Sequence, residues 1–144
     1  MDVSIEPAKP ESMAAIRSLL AANHLPTADI ADDTVRLFEV RQNNELIGTV
    51  GVEHYGHTGL LRSLAVEDSH KSKGIGQQLV AHVLCYCLSK QITELYLLTT
   101  TAPKYFEKLG FQQISRDSVS AEIKQTREFK DICPNSAVVM LKTF

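Results

Sequence analysis

The stretch from Leu60 to Leu84 constrains this chain more than any other. Leu60-Leu-Arg-Ser-Leu-Ala-Val66 is a run of branched apolar residues that reads as a buried strand. Beyond it, Ile75, Leu79, Val80, Val83, Leu84 and Cys87 recur at the spacing of one helix face. Between the two lies a short loop that ends in Gly74 and Gly76, with Lys71 and Lys73 just ahead of them. The first turn of a helix leaves backbone N–H groups unpaired and carries partial positive charge. Glycines there let a ligand approach the backbone, so the join reads as an anion cradle of the kind that holds a pyrophosphate. The nucleotide-triphosphate loop, with Gly-Lys-Ser/Thr after four residues, is absent, and so is the three-glycine dinucleotide fingerprint.

At 144 residues the chain is expected to form one domain over residues 1–144, long enough to bury a full core. Its 44% hydrophobic and 22% charged residues fit a soluble globular protein. With a formal net charge of −2 and no basic block beyond Lys71 and Lys73, a nucleic-acid partner is not expected. No apolar run approaches the ~20 residues of a membrane span, and Met1–Glu6 lacks the features of a signal peptide. The expectation is a cytoplasmic protein without a membrane partner. Cys85, Cys87 and Cys133 do not make a disulfide framework. Cys85 and Cys87 fall on different faces of the expected helix, and the five histidines have no ligand spacing, so no metal site is expected.

Taken in order, Val3–Ala8 reads as a strand and Glu11–Asn23 as a helix, with Met13, Ile16, Leu19 and Leu20 on its apolar face. His24–Asp33 reads as a loop. Val35–Val40 and Leu46–Tyr55 are strands joined through Gln42-Asn-Asn44, and they lead as an antiparallel meander into the Leu60–Val66 strand. Lys90 and Gln91 end the long helix. Thr93–Thr100 is a further strand, expected to pair with Leu60–Val66 in parallel across the helix. Pro103 starts a helix that Gly110 stops, Ala121–Phe129 has helical spacing, and Ser136–Leu141 is a last strand.

Two motifs some forty residues apart carry a family resemblance. Leu64-Ala-Val66 followed by Lys71-Ser-Lys-Gly-Ile-Gly76 resembles the acetyl-coenzyme A signature of the GCN5-related N-acetyltransferases (GNAT), with Lys71 where that family has Gln or Arg. The second motif, Ala102-Pro-Lys-Tyr-Phe-Glu-Lys-Leu-Gly-Phe111, is similar to their second signature. The resemblance spans roughly residues 45–115. It implies an α/β (α+β) fold with a mixed, mostly antiparallel sheet of six to seven strands flanked by helices and a splayed central strand pair. It also implies acetyl-CoA as co-substrate. Arg127-Glu-Phe-Lys-Asp-Ile-Cys-Pro-Asn-Ser-Ala137, with Leu61–Val66 and Leu98–Ala102, further resembles the acetyltransferases encoded in bacterial arsenic-resistance operons. That narrower likeness implies an amino-group acceptor such as an amino acid, an organoarsenical or a phosphinate analogue.

Under this resemblance Leu64, Ala65 and Val66 would bind the pantetheine arm. Lys71, Ser72, Lys73, Gly74, Ile75, Gly76 and Gln77 would hold the diphosphate, with Thr99 on the neighbouring strand. The Leu64 N–H would stabilise the oxyanion. The family's general-acid tyrosine directly precedes Glu-Lys-x-Gly-Phe, and that position is Phe106 here. Tyr105, one residue earlier, is turned by about 100° on a helix, so either Tyr105 or solvent protonates the thiolate. Glu53 is the acidic candidate for a general base, against the plainer reading of a solvated strand-end carboxylate. Arg62, inside an apolar strand, needs an anionic partner: a substrate carboxylate, with Ser63 beside it, or a structural pair with Glu53. A non-catalytic acyl-CoA-binding or regulatory module is the rival to an enzyme, and an arsenical- or metal-binding protein using the three cysteines is another. Oligomeric state, with a homodimer as the expectation to examine, is set by no motif.

Overall fold

A computed structural model describes residues 4–25, 27, 30, 35–71, 73–99, 102–126 and 137–144. Ser72, Thr100, Thr101 and the stretch 127–136 with Cys133 lie outside the described residues, as does most of the loop expected between His24 and Asp33.

Strand β1 (Ser4–Pro7) leads through a 3-10 turn at Pro10–Ser12 into α1 (Met13–Ala22), whose Ile16 and Leu20 are fully buried. Strands β2 (Val35–Gln42) and β3 (Glu45–Tyr55) form the expected hairpin. Its turn places Asn43 at φ 53° and Asn44 at φ 65°. Asparagine tolerates that left-handed backbone better than most residues, which is why an Asn-Asn pair can close so short a loop. Strand β4 (Thr58–Val66) returns antiparallel to β3 and is buried along its length except at Leu64. A strand covered on both faces has to be apolar throughout, as this one is apart from Arg62 and its small residues.

Helix α2 (Ile75–Ser89) lays Ile75, Leu79, Val80, Val83 and Cys87 on one face of the sheet, in a core with Val66 and Leu97. On other surfaces of the sheet α1 packs with Leu37 and Ala65, and Leu60 and Tyr96 pack with Val119 and Ile123. Strand β5 (Glu94–Thr99) pairs with β4 in parallel. Helix α3 (Pro103–Lys108), strand β6 (Gln112–Ile114), helix α4 (Ala121–Lys124) and strand β7 (Val138–Thr143) complete the described elements.

The described strands form one seven-stranded sheet in the order β1-β2-β3-β4-β5-β7-β6. Mixed pairing and flanking helices match the expected fold class. The last strand runs between β5 and β6, antiparallel to both. Hydrophobic patterning marks a strand and its buried face but not its neighbours, so this placement could not be read from residues 136–141. Of the helix expected over Ala121–Phe129, only Ala121–Lys124 is helical among the described residues: Gln125 is its C-cap and Thr126 lies beyond it, while residues 127–129 lie outside the described residues. No helix among the described residues is long and apolar enough to cross a membrane.

Candidate active site

Among the described residues, strands β4 and β5 pair from Thr58–Glu94 to Leu61–Leu97 and no further. Beyond that point β5 stays in register with β7 as far as Thr99, while β4 continues to Val66 against β3 alone. The two central strands therefore part after four residue pairs, leaving the edge of β4 from Arg62 to Val66 unladdered on the β5 side. Beyond Arg62 such an edge can offer backbone donors and acceptors to a thin extended ligand.

A bulge opens the gap. Thr49 faces Ala65 and Gly51 faces Arg62, so Ser63 and Leu64 together stand opposite Val50. Ser63 takes up the extra length with φ 57°, a left-handed conformation that a non-glycine residue adopts at a cost of ~1–2 kcal/mol. The residues holding it are buried. Arg62 Nε donates to Ser63 Oγ at 3.1 Å, and Arg62 Nη1 meets Glu53 Oε2 at 2.8 Å. The Tyr55 hydroxyl donates to the other oxygen of the same carboxylate. Glu53 and Arg62 are each 3% exposed. Of the two partners left open for Arg62 by the sequence, the structure shows Glu53. Tyr55 was not singled out beforehand, although its place two residues from Glu53 on one strand face was a usable signal.

The turn after β4 ends at Gly74, with φ 82°, which caps α2 without any side-chain hydrogen bond. The first backbone acceptor inside the helix is Gly74 C=O, bonded from Gln78 N at 3.1 Å. Ile75 is buried and fixes the helix start on the core, while Lys73 and Gln77 are exposed. Lys71 is exposed as well, its ammonium 2.9 Å from the solvated carboxylate of Asp68. An ion pair this exposed is worth little and exchanges readily for another anion. Glycines and lysines thus sit together at a helix start whose N-cap residue, Gly74, has no side chain to cover the first amides, beside the end of β4.

On the opposite wall Thr99 Oγ1 accepts from the Ala102 amide at 3.1 Å, tying the end of β5 to the start of α3. Phe106 is buried and packs edge-on against Phe111. Tyr105 is turned toward α2: a Cβ built on Gly76 would lie 2.5 Å from the Tyr105 hydroxyl. Among the described residues no group of three or more His, Cys, Asp or Glu could hold a metal ion.

These features can be set beside known proteins. The sequence model of the acetyltransferase (GNAT) domain matches residues 33–113. Over 53 residues the chain is 40% identical to the PanD regulatory factor of Salmonella typhimurium, a match covering 37% of this chain and 42% of that protein. The fold is similar to N-acetylglutamate synthase from Neisseria gonorrhoeae, solved with coenzyme A and N-acetyl-glutamate, at TM-score 0.84 and 18% identity. That match covers 99% of this chain and 35% of the synthase, so the chain spans about a third of it. A GNAT-family acetyltransferase from Staphylococcus aureus superposes at TM-score 0.81 and 14% identity, covering 99% of both chains. At these identities the solved structures speak for the fold, while the matched domain spans more than half of the sequence. The chain belongs to the GNAT acetyltransferase family.

Proposed function

We propose that this protein is an acetyl-CoA-dependent N-acetyltransferase acting on the amine of a small molecule, most simply an amino acid or a close analogue. The observation that carries this reading is the gap between β4 and β5, opened by the bulge at Ser63 and leading to the glycine turn that starts α2. The diphosphate would rest on the amides around Gly74 to Gln77, near Lys71 and Lys73, and the pantetheine arm would lie along Leu64, Ala65 and Val66. Coenzyme A in the N-acetylglutamate synthase structure supports the choice of cofactor.

The chemistry asks little of the protein. The neutral amine attacks the thioester carbonyl and a backbone N–H at Leu64 steadies the oxyanion. The carbon–sulfur bond then breaks, leaving an amide and the coenzyme A thiolate. The ammonium proton is lost to water and the thiolate, a tolerable leaving group, gains one from water. Glu53 accepts from both Arg62 and Tyr55. We assign this trio to shaping the bulge beside the acetyl group rather than to moving protons.

A thiol-release assay with acetyl-CoA over amino acids, organoarsenical and phosphinate amino acids, and polyamines tests the reading. Release that depends on one amine class, with the N-acetylated product identified by mass, is the expected result. A second reading, a regulatory module that binds acyl-CoA without turnover, is favoured by the match to the PanD regulatory factor and by Phe106 at the family's tyrosine position. Tight acetyl-CoA binding with no release across the panel would select it.

A further inference from the structure

We propose that Tyr105 binds the cofactor at its diphosphate, donating its hydroxyl proton to a phosphate oxygen above the first turn of α2, and does not protonate the departing sulfur. The inference rests on the acyl-CoA reading above and goes past it by giving this side chain a place along the cofactor.

Position comes first. The point where a Gly76 Cβ would stand is 2.5 Å from the Tyr105 hydroxyl and 3.9 Å from Val66 Cγ2. The hydroxyl therefore lies against the backbone of the helix start, beside the last residue of β4. The reacting carbonyl belongs two residues back, at the bulge and the Leu64 amide, some ~6–7 Å away at about 3.3 Å per strand residue. Gly76 gains a physical reason at the same time, since any side chain there would push the hydroxyl away from the turn.

The hydroxyl is also available. No described residue accepts its proton, and Tyr105 is 39% exposed, open to a ligand. Partial burial pushes the phenol above its usual value, so it stays protonated and remains a donor near neutral pH. Its direction is fixed by its neighbour. The Tyr105 ring stands edge-on to Phe106 at 5.2 Å, and Phe106 is in turn packed on Phe111 in the core. The next position on the helix thus faces inward and carries no proton to give.

Calorimetric titration of the intact protein with coenzyme A and with S-acetylpantetheine, which has the arm but no diphosphate, tests the assignment. Tyr105→Phe is expected to weaken coenzyme A binding by roughly tenfold, the worth of a hydrogen bond to a charged acceptor. Affinity for S-acetylpantetheine should change by less than about twofold, the margin within which no such bond is lost. Equal coenzyme A affinity in wild type and variant overturns the inference, and so does an equal loss for both ligands. A turnover pH profile that loses its alkaline limb in Tyr105→Phe overturns it too, because it would place the hydroxyl at the sulfur. Wild-type protein that fails to bind coenzyme A sinks the acyl-CoA reading itself, a result plainly different from the other three.

Discussion

Arg62 and Glu53 form a buried ion pair across β4 and β3, Nη1 to Oε2 at 2.8 Å, and the same guanidinium reaches Ser63 Oγ at 3.1 Å. The pair thus touches the residue whose left-handed backbone parts the two central strands. Removing one charge strands the other in the interior, so Arg62→Met should destabilise the fold by about 3–5 kcal/mol, read from urea unfolding. Ser63 separates bulge from packing. Ser63→Gly adopts φ 57° freely, which offsets the loss of the Ser63 Oγ acceptor for Arg62, and should preserve coenzyme A binding. Ser63→Val carries a β-branched side chain that resists this conformation. It should lose ~1–2 kcal/mol and bind coenzyme A more weakly, as a strand drawn back into register would close the gap. Equal binding by the two variants would show that the bulge does not shape the site.

The strand–glycine–helix join was legible because three signals agree there: a branched apolar run, glycines at a helix start and helical spacing beyond. The Arg62–Glu53 pair was half legible, because an arginine in an apolar strand demands an anion but does not say which one. The conformation of Ser63 was not legible at all, since serine carries no preference for positive φ and the strain is imposed by the strands around it. The place of β7 between β5 and β6 depends on long-range pairing that no local pattern encodes.

Glu39 gives the fold an acid-sensitive joint. Burial alone would raise its pKa, but hydrogen bonds from Ser12, the Lys9 amide and Arg41, with the Arg41 charge, outweigh that and hold it below the usual carboxylate value. The Lys9 amide lies 2.9 Å and Arg41 Nε 2.5 Å from the carboxylate, which joins β2 to the turn before α1. A carboxylate with a depressed folded pKa contributes stability that is fully present above the unfolded value near 4.5 and is lost as pH falls through the folded value. Urea midpoints between pH 6 and 3 should therefore drop more steeply for wild type than for Glu39→Gln, the two converging at the acid end. Parallel curves would count against the joint.

Two cysteines of α2 should behave oppositely. Cys85 is exposed, whereas Cys87 is fully buried and desolvation pushes its thiol up to about 12. Since the thiolate is the reactive form, a maleimide at pH 8 should label Cys85 quickly and Cys87 only after unfolding. A Cys133→Ser background keeps the reading to these two. Rapid labelling of both, with protection by trivalent arsenic, would revive an arsenical-binding role for the helix.

Gly74 and Gly48 offer a contrast between a site glycine and a packing glycine. A Cβ at Gly74 would meet nothing within 4 Å, so Gly74→Ala changes little except the backbone, which must hold φ 82° against its new side chain. The cost is ~1–2 kcal/mol, and part of it can be relieved by rotating the turn away from the proposed diphosphate position. At Gly48 the φ is unremarkable, but a Cβ would stand 2.8 Å from Val40 Cγ1 and 3.1 Å from Leu79 Cδ1, inside the core under α2. Gly48→Ala should lose about 1–3 kcal/mol through overpacking. The two variants should thus be comparably destabilised yet differ in function. Gly74→Ala should raise the apparent KM for acetyl-CoA by roughly tenfold or more, the loss of one or two charge-assisted hydrogen bonds, whereas the effect of Gly48→Ala should track stability alone. Urea unfolding with and without coenzyme A separates them, because a ligand that binds normally adds the same mass-action increment of stability whatever the starting stability. A full coenzyme A shift in Gly74→Ala would mean that the amides of this turn do not hold the diphosphate.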